Sequence, residues 1–303
     1  MKKPTLLILA AGMASRYGSM KQIDGFGPNG ETIIDYSIYD AIRAGFGKVI
    51  FIIREESLES FKSIFDPKLA GKIETDYVFQ DYDLSKYGID RQVERVKPWG
   101  TAHAVLSAKD RINEPFCVIN ADDFYGYDSF KKMADFLNHQ ADDHTYALMG
   151  YEISKTLSEY GSVSRGVCQV NDAGNMTGIT ERTKVYFKNT GDDRSIVYEE
   201  NGVETPLPQD TRVSMNFWGF TPAVFPIAEE MFRDFVEANH ENPKSEFFIP
   251  LVADHLIQTG KAVFKTVPTQ EKWFGVTYKE DKSMVKDSLA KLTETGVYPA
   301  KLW

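Results

Sequence analysis

The chain has 303 residues, 42% hydrophobic and 26% charged, and its 35 lysines and arginines against 44 aspartates and glutamates leave a formal charge of −9. That length buries a large core in one α/β domain, or in one domain with a smaller appendage. The acidic balance excludes the basic surface that non-specific nucleic-acid binding relies on, no apolar run reaches membrane-spanning length, and two cysteines, Cys117 and Cys168, read as buried thiols of a reducing compartment and are too few for a disulfide framework.

Residues 5–10 are apolar or small without polar alternation, the pattern of a strand buried on both faces at the centre of a parallel sheet. Lys2-Lys3 in front of this run is similar to the start of a signal peptide. The apolar stretch is short, however, and Arg16 and Lys21 follow at once, so a cytoplasmic protein is expected. After a loop over 12–30, helical spacing over 33–44 stops at Gly45-Phe46-Gly47, 49–53 is a second buried strand, and 55–65 is a helix ended by Asp66-Pro67. A strand at 73–79, a polar loop to Pro98, a helix at 101–109, a strand at 116–120, a helix at 127–140 and a strand at 146–151 follow. Strands alternating with ten-residue helical patterns imply βαβ units with right-handed crossovers.

Beyond about residue 155 the pattern changes. A hairpin is expected from 162–170, the turn 171–175 and 176–180. Residues 189–209 read as a polar, irregular excursion, 213–220 as a strand, 222–238 and 246–258 as helices, 262–267 as a late strand and 279–294 as a terminal helix. The expected fold is α/β: a mixed, mostly parallel Rossmann-like sheet flanked by helices, with an inserted β-rich lobe. One domain spans 1–303, divided into 1–155, 156–278 and a C-terminal helical segment at 279–303.

Ligands of such sheets sit beyond the carboxyl ends of the strands. There Ala10, Ala11, Gly12 and Met13 form a turn of small residues whose backbone N–H groups can approach a phosphate, with Arg16 and Lys21 adding positive charge. No Gly-Lys-Ser/Thr follows, so this is not a Walker A loop, and it is not a Gly-x-Gly-x-x-Gly fingerprint. At the end of the strand at 116–120, Asp122 and Asp123 are adjacent carboxylates whose repulsion a nearby cation relieves. Magnesium suits such a place, because it takes few carboxylates and completes its shell with phosphate oxygens and water. The competing reading is a helix cap for the segment beginning near Tyr127.

Leu9-Ala10-Ala11-Gly12-x-x-x-Arg16 followed by Lys21 closely resembles the opening motif of the sugar-phosphate nucleotidyltransferases, which include the sugar-1-phosphate thymidylyl-, uridylyl- and guanylyltransferases. The family usually reads Gly-x-Gly-x-Arg with a proline before the lysine; Ala14 and Met20 stand at those places here. The resemblance implies that Arg16 takes the β- and γ-phosphates of a nucleoside triphosphate. Lys21 would bridge its α-phosphate and the incoming phosphate, and Asp122 would ligate Mg2+, with Asp123 the fallback if the register slips by one.

Pro98-Trp99-Gly100-Thr101-Ala102 resembles the family segment in which backbone atoms, here of Gly100 and Thr101, read the nucleobase. Trp99 serves equally as a stacking or a core residue. Arg95 stands where relatives carry a base-reading glutamine, with Gln92 three residues upstream, so the base is not legible. On the sugar side, Tyr160-Gly161, Glu181 and Asn216-Phe217-Trp218-Gly219 resemble family segments whose main-chain N–H, carboxylate and amide contact sugar hydroxyls. Arg182 replaces the usual lysine and would hold the sugar phosphate as a fork; a hairpin edge with surface charges is the alternative. Trp273-Phe274-Gly275-Val276-Thr277 lacks the late carboxylate that relatives supply, which leaves the second metal ligand to Glu280 or Asp281, or to none.

None of the five histidines has zinc-site spacing, and His103 reads as a packing residue. The implied activity joins a nucleoside triphosphate and a sugar 1-phosphate into a nucleoside-diphosphate sugar with release of pyrophosphate; 1–155 would bind nucleotide and 156–278 the sugar. The same chemistry on phosphocholine or another phosphorylated alcohol is one alternative, and a nucleotide-sugar-binding regulatory protein without turnover is the other. Short enzymes of this kind often associate into homo-oligomers, though no oligomeric state is legible.

Overall fold

The computed structural model describes residues 2–12, 25–190, 193–276, 278 and 280–303. Its first half runs β1 (Thr5–Leu9), α1 (Ile33–Ala44), β2 (Lys48–Ile53), α2 (Leu58–Leu69), β3 (Glu74–Phe79), α3 (Thr101–Leu106), β4 (Phe116–Asn120), β5 (Asp123–Phe124), α4 (Tyr127–His139) and β6 (Thr145–Glu152). The second half runs β7 (Val163–Val170), β8 (Asn175–Thr190), β9 (Asp193–Glu200), β10 (Val203–Leu207), β11 (Arg212–Phe220), α5 (Val224–Asn239), α6 (Ile249–Gln258), β12 (Val263–Pro268), β13 (Phe274–Gly275) and α7 (Asp281–Glu294).

The continuous apolar runs are explained by helices on both faces of the sheet. Leu6, Ile8, Phe51 and Ile119 pack with the inner faces of α1, α2 and α4. Leu7, Ile50, Ile52 and Val118 pack with α3, α5 and α6. Cys117 and Cys168 are buried and free. The start of α1 is fixed by a reciprocal cap: the Asp35 N–H donates to Thr32 Oγ1 at 3.1 Å and the Thr32 N–H to the Asp35 carboxylate at 2.7 Å. Gly45, with φ 95°, ends it.

Eleven strands form one mixed sheet in the order β10-β9-β8-β12-β6-β11-β4-β1-β2-β3, with β7 pairing β11 and β8. The parallel part is β3-β2-β1-β4, together with β6-β12. Strand β11 runs antiparallel to both β4 and β6, so the sheet reverses direction beside β4. The β-rich excursion is hydrogen-bonded into this sheet through the β7–β11 and β8–β12 pairs. β5 and β13 form a small antiparallel ladder of their own.

Besides α3, which ends at Leu106 and not at 109, three expectations change by more than two residues. α2 runs through Pro67 to Leu69 instead of ending at Asp66: Phe61, Phe65 and Leu69 continue one buried stripe, and a proline in the last turn removes only one backbone bond. The described residues among 189–209 are not irregular. They complete β8 and form β9 and β10, with Val185 and Ile196 buried and the pairs Lys184–Glu199 and Lys188–Glu204 across the strands. Asn201 (φ 52°) and Gly202 (φ 77°) make the turn between β9 and β10, the pairing that a two-residue hairpin loop favours. The helix expected from 246 begins at Ile249, because Phe248 is extended and the Phe247 backbone is engaged elsewhere: its N–H donates to Trp99 O at 2.6 Å and its carbonyl accepts from Ala102 N at 2.9 Å. Among the described residues, no helix is long and apolar enough to cross a membrane.

Candidate active site

A cleft of about 740 Å3 opens at the carboxyl end of β4, where Asn120, Asp122 and Asp123 meet Arg165 and Gly166 of β7, Glu181 of β8, Asn216 of β11 and Trp273. Ligands of open α/β sheets bind where strand direction or order switches, and here β11 turns against β4. A second depression, about 620 Å3 between α2 and β3, contains none of these residues.

The floor of the cleft is a directed chain of hydrogen bonds. Trp218, fully buried, donates its Nε1–H to Asn216 Oδ1 at 2.8 Å. Asn216 Nδ2 donates to Asn120 Oδ1 at 2.7 Å, and Asn120 Nδ2 donates to Asp123 Oδ2 at 2.9 Å. An indole nitrogen only donates, so it fixes the orientation of both amides and delivers an N–H to the carboxylate. The Tyr125 hydroxyl braces the same corner, accepting from Asn120 N at 3.0 Å and donating to Met215 O at 2.9 Å.

Asn216 reaches this position through an irregularity in β11. Ser214 faces Gly150 and Trp218 faces Leu148, so four steps along β11 match two along β6, and Asn216 takes φ 61°. The left-handed region is costly for most side chains and tolerable for Asn, and bulges of this kind re-aim side chains beside active sites.

Five residues expected in the site line this one cleft or belong to its floor: Thr101, Asp122, Asp123, Glu181 and Asn216. Glu181 sits at the rim, where loss of solvent raises its carboxyl above the usual range and Arg165 works the other way. Ala10 and Ala11 are buried at the end of β1 and Gly12 is exposed beside them. Met13, Arg16 and Lys21 lie outside the described residues.

Other expected residues are placed differently. Gly100, with φ 103°, leaves the room of its absent Cβ to the Phe247 backbone, whose oxygen would lie 2.5 Å from that atom. The glycine thus serves a close backbone approach within the protein. Trp99 is core and fully buried, with the Arg95 guanidinium 3.8 Å above its ring. Arg95 also donates to the carbonyls of Asn242 and Ser245, so it is a staple and not a base reader. Arg182 pairs with Glu200 at 2.8 Å, lies over the Tyr198 ring and does not line the cleft. The position of Gly161 is explained by Tyr278, whose hydroxyl would lie 2.7 Å from an added Cβ. Asp281 accepts from Tyr278 N at 2.7 Å and Ser158 Oγ at 3.0 Å, as an anchor for the start of α7. Buried His103 has its pKa pushed down to about 3 by loss of solvent and packs as a neutral ring near Gln80.

The sequence singled out neither Asn120 nor Arg165. Arg165 is 7% exposed and lines the cleft under Trp273, its guanidinium carbon 4.6 Å from the ring centre. Burial lowers its pKa to about 10, with Asp123, Glu181 and Asp281 opposing the shift, so it stays charged at neutral pH. Its only local signal is a basic residue in a strand between Val163 and Val167.

Among the described residues no group of three or more His, Cys, Asp or Glu side chains is arranged to hold a metal ion. The donor set of Asp122 and Asp123 suits Mg2+, which takes most of its ligands from phosphate and water, and does not suit a fully protein-ligated ion.

The nucleotidyl transferase family model matches residues 7–276. Solved structures with a similar fold include a UDP-glucose pyrophosphorylase complexed with UDP-glucose, 17% identical, covering 95% of this chain and 98% of its own with a TM-score of 0.60. A putative glucose-1-phosphate thymidylyltransferase from Bacillus anthracis is 14% identical, with 94% of each chain covered and a TM-score of 0.64. The inositol-1-phosphate CTP transferase from T. maritima is 13% identical, with 97% of this chain and 98% of its own covered and a TM-score of 0.63. No curated protein matches the sequence. The chain belongs to the nucleotidyl transferase family.

Proposed function

We propose that this nucleotidyl transferase joins a nucleoside triphosphate to a sugar 1-phosphate. A phosphate oxygen of the sugar phosphate attacks the α-phosphorus, the bond from that phosphorus to the β-phosphate oxygen breaks, and pyrophosphate leaves with its electron pair. The observation that carries the reading is the single cleft in which the paired carboxylates ending β4 share walls with Glu181 and Asn216. Such a transfer asks little covalent chemistry of the protein, so positioning and charge neutralisation dominate.

In this reading Arg16 and Lys21 hold the phosphates of the nucleotide, and the turn at Ala10–Met13 supplies backbone N–H donors. Asp122, with Asp123 beside it, would hold Mg2+, which supplies charge neutralisation on the triphosphate. Thr101 and Gly100 border the nucleobase. Glu181 accepts hydrogen bonds from the hydroxyls of the sugar, and the amide of Asn216 completes that side; Gly161 drops out, since it does not line the cleft. Arg182 drops out, because its guanidinium is engaged by Glu200.

A choline headgroup is a poorer acceptor. Aromatic faces attract quaternary ammonium, but the Trp273 ring already carries the Arg165 guanidinium, and a second cation there meets repulsion. The deciding experiment is a pyrophosphate-release screen crossing ATP, CTP, GTP, UTP and dTTP with sugar 1-phosphates, inositol 1-phosphate and phosphocholine. Release with a sugar 1-phosphate is expected. Release confined to inositol 1-phosphate or phosphocholine would move the enzyme to phospho-alcohols. Nucleotide binding with no release from any pair would make the chain a non-catalytic binder.

A further inference from the structure

We propose that Arg165 is a specificity-determining residue that holds an oxyanion of the acceptor substrate, its phosphate or a sugar carboxylate, on the β7 side of the cleft. The proposal rests on reading the cleft as an acceptor site. It starts from an energetic mismatch. A guanidinium is expensive to bury without a negative partner, and Arg165 is buried with none within ion-pair distance among the described residues. Other arginines nearby behave differently: Arg182 pairs with Glu200, Arg194 with Glu159 and Arg212 with Glu152.

The hydrogen-bond partners of Arg165 are neutral, and the carboxylates of Asp123, Glu181 and Asp281 act on it only from beyond ion-pair distance. Its Nε–H donates to the carbonyl and hydroxyl of Thr156 at 3.1 Å each, one Nη2–H to the Thr156 carbonyl, and one Nη1–H to Ser164 O at 2.7 Å. A guanidinium has five N–H donors. These contacts occupy one on each nitrogen and leave one on Nη1 and one on Nη2. These two N–H groups remain for the oxygens of a phosphate or carboxylate. The Trp273 ring lies over one face, so plane and direction are set before any ligand arrives.

Position assigns the anion to the acceptor. Arg165 precedes Gly166, which is paired with Glu181 on one side and Ser214 on the other. The added Cβ that would narrow the cleft there is absent: at Gly166 it would lie 2.9 Å from Ile179 Cδ1 and 3.3 Å from Ser214 Cβ. This is the wall shared with Glu181 and Asn216, not the one at Thr101.

The test compares wild type with Arg165→Lys and Arg165→Met. In steady-state assays the lysine variant, which keeps charge and loses the fork, should raise the acceptor KM by about tenfold, and the methionine variant by about 10²-fold. The nucleotide KM should change by less than about threefold, since the nucleotide contacts proposed above do not include Arg165. Calorimetric titration with inorganic phosphate and glucose 1-phosphate should show the same ranking without turnover. If the bound group is the phosphate, glucose 1-phosphate and glucuronic acid 1-phosphate lose affinity equally. If it is a carboxylate, only the acidic sugar does.

Folded variants with wild-type acceptor binding in both assays would overturn the proposal. A wild-type enzyme that releases no pyrophosphate from any pair removes the proposed reaction, and the titrations still decide Arg165. Should neither variant fold, wild-type crystals soaked in glucose 1-phosphate decide: an oxyanion within about 3.2 Å of Nη1 or Nη2 supports the assignment, and a ligand bound with its oxyanion elsewhere refutes it.

Discussion

Replacing Asn216 tests whether the left-handed residue of β11 is there for its amide or only for its backbone. Asn216→Ala removes the acceptor of Trp218 Nε1, a donor on a fully buried side chain, and the donor to Asn120 Oδ1. An orphaned buried donor costs about 1–3 kcal/mol and the half-buried acceptor about 1 kcal/mol. Alanine at φ 61° adds about 1 kcal/mol of strain that Asn largely escapes, for about 3–5 kcal/mol in all. Asn216→Gly loses the same hydrogen bonds but not the strain, and the extra freedom of its unfolded chain offsets part of that relief. It should therefore be the more stable variant, by less than about 1 kcal/mol. Urea unfolding followed by tryptophan fluorescence measures both, with Trp218 itself a reporter. Releasing Asn120 also loosens the Asp123 carboxylate, so turnover should fall in both variants together. An alanine variant within about 0.5 kcal/mol of wild type would refute the hydrogen-bond chain as the reason for the conformation, and an alanine variant more stable than the glycine one would refute the strain.

Lys21→Ala and Asp122→Asn should each lower turnover by at least ~10²-fold with unchanged circular dichroism, because each removes charge stabilisation of the transition state; wild-type rates in both would remove these residues from the site. Burial pushes the Asp40 carboxyl up to about 7, against the opposing hydrogen bonds from Tyr298 and Arg43. Between about pH 4 and that value the native state keeps a proton that the unfolded state releases, so this group's contribution is complete at low pH and is lost as pH rises, at up to about 1.4 kcal/mol per unit. Asp40→Asn should flatten that slope in urea titrations at about pH 5 and about pH 8, and identical slopes would show that Asp40 is ionised throughout. Gly202→Ala, at φ 77° in the β9–β10 turn, should cost about 1–2 kcal/mol locally, read as faster amide exchange over 203–207; unchanged protection would mean that the turn does not hold β10.

What the sequence made legible follows from how local each signal is. β1, β2 and β4 carry their burial in their own residues, and α1 carries both of its caps, so their positions come through within a residue. The ribbon of β8, β9 and β10 alternates polar and apolar residues on a half-exposed sheet, which resembles an irregular polar segment unless the Asn201-Gly202 turn is given its due. Pro67 reads as a stop because its local rule is strong, yet the burial of Leu69 prevails. Short motifs single out Asp122, Glu181 and Asn216, and the three line one cleft. Arg165 and Arg182 show the limit. Both are arginines in strands, and only tertiary structure separates them: Glu200 stands beside Arg182, whereas Thr156 and Trp273 enclose Arg165.

The reversal of the sheet beside β4 explains why these residues can meet at all. Had β11 run parallel to β4, its carboxyl end would lie beside that of β4 and its bulge would need a crossover to reach the cleft. Running antiparallel, it brings residues that precede Trp218 past the end of β4, so that Asn216 stands opposite Asn120. β7 pairs with β11 at Ser214 and Val213, which carries Gly166 and Arg165 to the same rim. The carboxylates thus come from the end of a parallel strand and the wall of Arg165, Glu181 and Asn216 from antiparallel ones. A mutation that slips the Ser214–Trp218 bulge should displace both walls at once, because the amide chain and the β7 pairing share that one segment.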